Sequence, residues 1–256
     1  MHLGLKRALL FSVVGYLIAW LSEYSSIHNG IPYGYYYYLE NTKGHELWVL
    51  GVPFMDSLSY VFLAYAGYSV ALMIISPLML SGKRVCVLET KRLRNSLSAR
   101  LLGALFFVYL DIIIDPIALQ GHKWFLGAVY GYPEKGVYFG VPISNFIGWY
   151  VVGFLMIYAL QKIDGSLDAR TDYVGFKYSW RYLLGPGLYF GILIFNLSVT
   201  FFTGEYHMGW VGVFIALLPT VLGYRIITAP RSSEEIRKSL TSHLQDFPHS
   251  AVPKIP

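Results

Sequence analysis

Two carboxylates stand four residues apart near the end of an otherwise apolar stretch, Tyr109-Leu-Asp-Ile-Ile-Ile-Asp-Pro116. On a helix that spacing puts Asp111 and Asp115 on one face, with Cβ atoms roughly 6 Å apart. An ionisable side chain inside a membrane span costs at least ~2.5 kcal/mol on the most lenient scale, so such residues mark function by default. Two carboxylates this close do not readily ionise together, and in a partly apolar site one of them keeps its proton near neutrality. A retained proton is a general acid. The competing expectation is structural, with the aspartates paired to polar groups on neighbouring helices or lying in the headgroup layer.

The elements that must position this pair are membrane helices. Hydrophobic residues make up 55% of the chain and charged residues 14%, and several apolar runs approach the ~20 residues needed to cross a bilayer. The hydropathy pattern predicts six spans, at roughly 5–24, 53–80, 98–116, 142–161, 181–201 and 209–228. The fold class expected is all-α, a polytopic membrane helix bundle. All but three of the 20 Lys and Arg fall in the N-terminus, the 81–100 and 162–181 loops, and the stretch from Arg225 at the end of the last span through the tail; the exceptions are Lys43, Lys123 and Lys135. Because cations mark the cytoplasmic side, both termini are expected there, with the chain in a cell membrane. The basic balance is thus read as topology and contact with membrane lipid, with no nucleic acid partner.

Residues 1–228 read as a single transmembrane domain and 229–256 as a cytoplasmic tail. The first span follows Lys6-Arg7 without a small-x-small cleavage site, so it is expected to stay as an anchor. In the tail, Ser232-Ser-Glu-Glu235 has the form of a capping box leading into Ile236, Leu240 and Leu244, a spacing that predicts a short amphipathic helix on the inner membrane face. Residues 248–256 are expected to be disordered. Cys86 is the sole cysteine, which leaves no disulfide framework and no thiolate metal cluster.

With this topology the polar residues of the spans gather at the non-cytoplasmic end. Glu23 closes span 1, Asp56 opens span 2, Asp111 and Asp115 close span 3, Asn145 opens span 4, and Asn196 and Glu205 follow in span 5 and beyond it. The loops between them are rich in Tyr, Trp and Gly, partly as an interfacial belt. Gly51-Val-Pro-Phe-Met-Asp56 and Gly140-Val-Pro-Ile-Ser-Asn145 echo one another, each placing Pro at a helix start and a carboxylate or its amide isostere one turn in. Glu23 precedes the first copy as Asp115 precedes the second. Spans 1 and 2 and spans 3 and 4 run the same way through the membrane, so a parallel duplication is geometrically possible, and its main implication is a polar site shared between the two halves.

Several chemistries are disfavoured. Apart from Lys6 at the very start of the first, the expected spans hold no Lys and no His, so neither a Schiff base nor a haem held within the membrane has a ligand. The seven histidines form no i, i+3 or i, i+4 pair. Asp164, Asp168 and Asp172 repeat the four-residue spacing, but topology puts them a bilayer away from Asp111 and Asp115, so the two sets cannot grip one magnesium diphosphate. They are read as a solvated loop face. No metal and no cofactor is expected.

The run Asp111-Ile-Ile-Ile-Asp-Pro116, with Gly121, Trp124, Tyr138-Phe-Gly-Val-Pro142 and Asn145-Phe-Ile-Gly-Trp149, resembles the signature of the integral-membrane carotenoid biosynthesis proteins. Gly30, Pro32, Tyr33 and Gly34 followed by Gly51-Val-Pro53 resemble that family's first outer loop. The family includes carotenoid 1,2-hydratases and bisanhydrobacterioruberin hydratases. The resemblance implies a hydro-lyase adding water across the terminal double bond of an acyclic carotenoid or related isoprenoid, with other carotenoid-synthesis enzymes as partners. Protonating a trisubstituted alkene gives a tertiary carbocation, which needs a desolvated acid, an aromatic lining and a positioned water. Asp111 or Asp115 would be the acid. Glu23 or Asn145 would position water, and Asp56, Tyr33, Tyr35, Tyr37, Trp124, Tyr138 and Trp149 would line the substrate. A proton-coupled lipid or solute transporter, and a scaffold of a pigment-synthesis complex, are the alternatives.

Overall fold

The computed structural model describes residues 3–81, 84–166, 183–248 and 250 of the chain. Six helices are long and apolar enough to cross a membrane, which makes the chain a multi-pass membrane protein: α1 (Leu5–Asn29), α2 (Phe54–Ile75), α4 (Leu97–Ala118), α5 (Ile143–Ser166), α6 (Leu184–Phe202) and α7 (Tyr206–Thr228). Helices α3 (Lys91–Arg94) and α8 (Ser233–Asp246) lie outside them. In hydrocarbon a helix satisfies its own backbone, and that constraint makes apolar length a faithful guide to the six spans. The helices run longer than expected toward the tyrosine-rich loops: α1 reaches Asn29, so Glu23 lies inside the helix, and α4 continues through Pro116.

Helices α2 and α4 form the centre of the bundle, with α1 and α5 packed on one side and α6 and α7 on the other. Small residues set how closely they approach. A Cβ added at Gly67 of α2 would sit 2.9 Å from the Gly103 carbonyl oxygen of α4, and one at Gly153 of α5 would sit 2.5 Å from the Phe107 ring. Packing between helices in lipid depends on such close contact because lipid offers no hydrophobic drive. Large apolar side chains such as Leu9, Val13 and Leu17 of α1 are exposed, as a lipid-facing surface requires.

Three small antiparallel ribbons join the helices. β1 (Tyr37–Tyr38) pairs with β6 (Tyr130–Gly131), β2 (Trp48–Val49) with β3 (Val52–Pro53), and β4 (Leu78–Ser81) with β5 (Arg84–Val87). Strands of two to four residues are too short to leave a periodic signal.

The sequence echo is repeated in the backbone. Leu50 and Gly51 have φ of 50° and 85°, and Phe139 and Gly140 have φ of 49° and 90°. Val49 pairs with Val52 in the first copy and Tyr138 with Val141 in the second. Left-handed φ at a Leu and a Phe is strained, so two occurrences at matching positions mark one turn used twice. The pair β1 and β6 brings the two loops together.

At the face that carries the N-terminus the structure corrects two expectations. Asp164 does not belong to a solvated face: its side chain is 7% exposed, 3.4 Å from Arg94 Nη1 and 3.9 Å from Arg7 Nε. Arg94 also holds Glu89 through two bonds of 3.0 Å. Burial pushes the Glu89 carboxyl up, but the Arg94 guanidinium and the other positive charge around it together outweigh burial and leave the group at about 2. A buried carboxylate is retained only when so paired. Asp168 and Asp172 lie outside the described residues, as does most of 248–256. The second correction concerns α8. Its capping box forms on Ser232 and Glu235, but its apolar side does not lie on the membrane. Ile236, Leu240 and Leu244 pack on Met79, Cys86 and Leu88 of the β4–β5 hairpin and the residue after it. His243 Nδ1 meets the Glu89 carbonyl at 2.6 Å and Asp246 accepts from Lys91 N at 2.8 Å.

Candidate active site

The carboxylates converge where the tyrosine-rich loops close over the bundle. Asp111 and Asp115 of α4 both face Asn145 in the first turn of α5. Asn145 Nδ2 donates to Asp111 Oδ2 at 2.9 Å and to Asp115 Oδ2 at 2.8 Å. An amide nitrogen carries two hydrogens, so both bonds form at once. Asp115 takes two further donors, with Tyr130 Oη 2.7 Å from Oδ1 and Tyr132 Oη 3.2 Å from Oδ2. Asp111 receives no other: its Oδ1 is buried without a hydrogen-bond partner in a residue that is 0% exposed. The two carboxyl groups are within hydrogen-bond reach of each other. Burial first, and then the facing Asp115, holds the phenols of Tyr130 and Tyr132 above their ordinary range, so both remain O–H donors.

A second group occupies the corresponding place in the first half. Glu23 of α1 is buried and accepts from Ser57 Oγ on Oε2. Tyr38 Oη lies 3.0 Å from Glu23 Oε1 and 2.7 Å from Oδ2 of Asp56, which is half-buried in the first turn of α2. Glu23 precedes Tyr38 by 15 residues, and Asp115 precedes Tyr130 by 15. Tyr36 links the two groups. Its hydroxyl donates to Tyr38 Oη at 3.2 Å, and its ring lies 5.2 Å from Tyr38 and 6.2 and 6.4 Å from Tyr130 and Tyr132.

One helical turn below the acidic layer lies an aromatic floor. Tyr60, Phe107 and Trp149 sit four residues from Asp56, Asp111 and Asn145 on their respective helices, and four residues is about one turn. Tyr60 and Trp149 stack at 4.5 Å, Phe107 lies 4.5 Å from Trp149, and Tyr33 closes the side at 6.3 and 6.5 Å from Tyr60 and Trp149. The loop that carries Tyr33 seats on α5 because Gly148 is there: a Cβ would stand 2.5 Å from the Tyr33 ring and 2.8 Å from the Pro32 oxygen. Tyr33 is further held by Ser22 Oγ at 2.8 Å and Ser26 Oγ at 3.0 Å.

Of the residues singled out from sequence, Asp111, Asp115, Glu23, Asp56, Asn145, Tyr33 and Trp149 come together. Tyr35 and Tyr37 do not: they are 60% and 48% exposed, while Tyr36 and Tyr38 between and beside them face inward. An extended run alternates its faces, and the run is entered through a turn at Gly34 that sets the parity. Trp124 packs on Phe125, and Tyr138 packs on Phe139 and Phe146, away from the carboxyl groups. Sequence reasoning missed Tyr36, Tyr38, Ser57, Tyr60, Phe107, Tyr130 and Tyr132; the recurrent 15-residue spacing from acid to tyrosine was the available signal for two of them. An apolar groove between α2, α4, α6 and α7, lined by Val70, Phe106, Tyr109, Tyr189 and Leu193, shares no residue with this cluster. Among the described residues no group of three or more His, Cys, Asp and Glu is placed to hold a metal ion.

A family model described as a carotenoid biosynthesis protein matches residues 1–219. No curated protein and no solved structure matches the chain.

Proposed function

We propose that this chain, which belongs to the carotenoid biosynthesis protein family, is a hydratase that adds water to the terminal trisubstituted double bond of an acyclic carotenoid or related isoprenoid. The observation that carries this is the unequal sharing of donors between the two aspartates. Asp115 is met by three side-chain donors, which suit a carboxylate, whereas Asp111 is met by one and has a buried oxygen that no donor from another residue reaches. Hydrogen bonds to the charged form favour it, so the pair's proton resides on Asp111.

In this reading Asp111 donates its proton to the less substituted alkene carbon, and the C=C electron pair forms the new C–H bond. The positive charge on the tertiary carbon faces Tyr33, Tyr60, Phe107 and Trp149, whose ring faces stabilise a cation. Water held at Glu23 supplies the electron pair of the new C–O bond and gives up a proton, leaving a tertiary alcohol. The net change is one water added, with no redox step and therefore no cofactor. A polyene is about as long as the membrane is thick, so its end group would meet a site near one face. By the positive-inside pattern that face would be the non-cytoplasmic one.

The transporter alternative asks for a polar path, whereas a solute leaving this site toward the N-terminal face would have to part the Tyr60, Phe107 and Trp149 stack. The test is expression in a host that accumulates lycopene or a similar acyclic carotenoid, followed by mass analysis of the pigments. A gain of one water is expected, and unchanged pigment across several acyclic substrates refutes the hydratase.

A further inference from the structure

The geometry points to a proton relay, Glu23 to Tyr38 to Asp56, that carries the proton lost by the attacking water from the buried site to the loop-covered face of the protein. It rests on the hydratase reading and concerns a step that reading leaves open, the fate of the second proton.

A phenol carries one transferable hydrogen. Tyr38 Oη nevertheless lies within hydrogen-bond distance of two carboxyl oxygens, Glu23 Oε1 at 3.0 Å and Asp56 Oδ2 at 2.7 Å, and it already accepts from Tyr36 Oη at 3.2 Å. Tyr38 can donate to only one carboxyl at a time. The other contact is a hydrogen bond when that carboxyl is protonated and donates back. Two arrangements therefore satisfy all three groups: protonated Glu23 donating to Tyr38 while Tyr38 donates to Asp56, and the reverse. They differ by the transfer of one proton from Glu23 to Asp56, with Tyr38 gaining and losing a hydrogen in the same movement. No phenolate is needed, in keeping with burial and then the two carboxylates holding this phenol above its ordinary range.

Burial gives the relay a direction. Glu23 is 1% exposed and is also held by Ser57, whereas Asp56 is only half-buried. A proton taken from water at Glu23 thus has one hydrogen-bonded step, through Tyr38, to a residue less deeply buried than Glu23. The second half of the repeat has no such exchange, because Asn145 stands where Asp56 stands in the first and an amide does not relay a proton in this way. Balance is kept: Glu23 gains the proton from the attacking water, passes it through Tyr38, Asp56 releases one to solvent, and Asp111 regains one from solvent for the next cycle.

Tyr38→Phe and Asp56→Asn test this in the purified protein, assayed with lycopene in detergent for kcat, KM, the pH profile and the solvent deuterium effect, with thermal unfolding as a control on folding. Both variants are expected to lower kcat by about 10²-fold, the lower end of what positioned proton transfer contributes, with KM little changed and a larger solvent deuterium effect. Formate or imidazole in the buffer is expected to restore rate to Asp56→Asn, since a small diffusible acid and base can take over a proton exit at a half-buried residue. Asp56→Glu should retain most of the activity. An active parent protein with both variants at parental kcat overturns the relay. So does a loss of kcat that neither small buffer restores and that leaves the pH profile and deuterium effect unmoved, because that is the signature of a structural bond. A parent protein that adds no water to any acyclic carotenoid refutes the hydratase reading itself, and the relay falls with it.

Discussion

Replacing Asp111 with Asn separates the acid from the scaffold. The amide has the shape of the carboxylic acid, its oxygen can accept from Asn145 as Asp111 Oδ2 does at 2.9 Å, and its N–H₂ group can face Asp115. Folding should lose little. What disappears is the transferable proton, and positioned general acids contribute about 10²–10⁴-fold, or roughly 3–5 kcal/mol of barrier. Asp115→Asn makes the contrast. Three donors converge on Asp115, from Tyr130, Tyr132 and Asn145. An amide placed there must turn its N–H₂ toward at least one of them, and each buried donor left unsatisfied costs about 1–3 kcal/mol. Asp111→Asn should therefore unfold close to the parental temperature and be inactive, whereas Asp115→Asn should be less stable as well as less active. The assay is pigment mass analysis for activity alongside thermal unfolding in detergent for stability. Asp111→Asn with more than about a tenth of parental activity would refute its role as the acid, since general acid catalysis is worth at least 10²-fold. If Asp111→Asn were the more destabilised of the two, the reasoning from donor counts would fail.

Trp149→Ala removes the ring shared by Tyr60 and Phe107 at 4.5 Å; a desolvated cation–π contact is worth about 2 kcal/mol, so kcat should fall roughly 30-fold, and Trp149→Phe should recover part of it. Gly67→Ala forces a methyl against the Gly103 carbonyl at 2.9 Å and should cost about 1–3 kcal/mol by overpacking, read as a lower unfolding temperature with no change in substrate preference. Docking of α8 should weaken on acidification: burial pushes His243 below its ordinary 6.5, so its contribution is complete above that value and is lost as pH falls from 6.5 toward the lower folded-state value. Hydrogen exchange in α8 checks this, and protection that does not fall over that window would refute it. Glu89, held at about 2 against an ordinary 4.5, has the same sign at lower pH. Its contribution is complete above 4.5 and lost as pH falls toward 2, so the hairpin should survive the pH that frees the tail.

The six spans and the gathering of carboxyl groups were legible because each rests on a strong local cost. Hydrocarbon demands apolar length, and a charge inside it stands out against that background. The loops were less legible. Nothing in a run of four tyrosines states which two face inward; the strand pairing of Tyr38 with Tyr130 settles it, and that pairing is a long-range contact. Asp164 illustrates the opposite error. In sequence it is one of three evenly spaced aspartates beside basic residues, a pattern that usually faces water. Only the fold brings Arg94, from a loop that sequence left without structure, into position to bury it. The tail helix was read correctly as amphipathic, but an apolar stripe does not name its partner, and the β4–β5 hairpin that covers it was too short to foresee.

A duplication would explain both the resemblance of the two halves and why they would not do the same chemistry. Glu23 and Asp115 occupy equivalent positions, as do Asp56 and Asn145, Tyr38 and Tyr130, and Tyr60 and Trp149, the last two stacked on each other where the halves meet. The symmetry breaks at Asp111. Its counterpart, one turn before Glu23, is Ala19, fully buried and unable to carry a proton. One half therefore holds two acids on consecutive turns with an amide to fix them, and the other holds one acid on α1 joined through a tyrosine to a carboxyl near the surface. Hydration asks for that division, since the alkene needs a proton delivered at one carbon and the water needs one removed beside the next. A symmetric pair of acids would serve either step and favour neither. With no acid at Ala19 in the first half and an amide at Asn145 in the second, each half would have a single direction of proton transfer, inward through Asp111 and outward through Asp56.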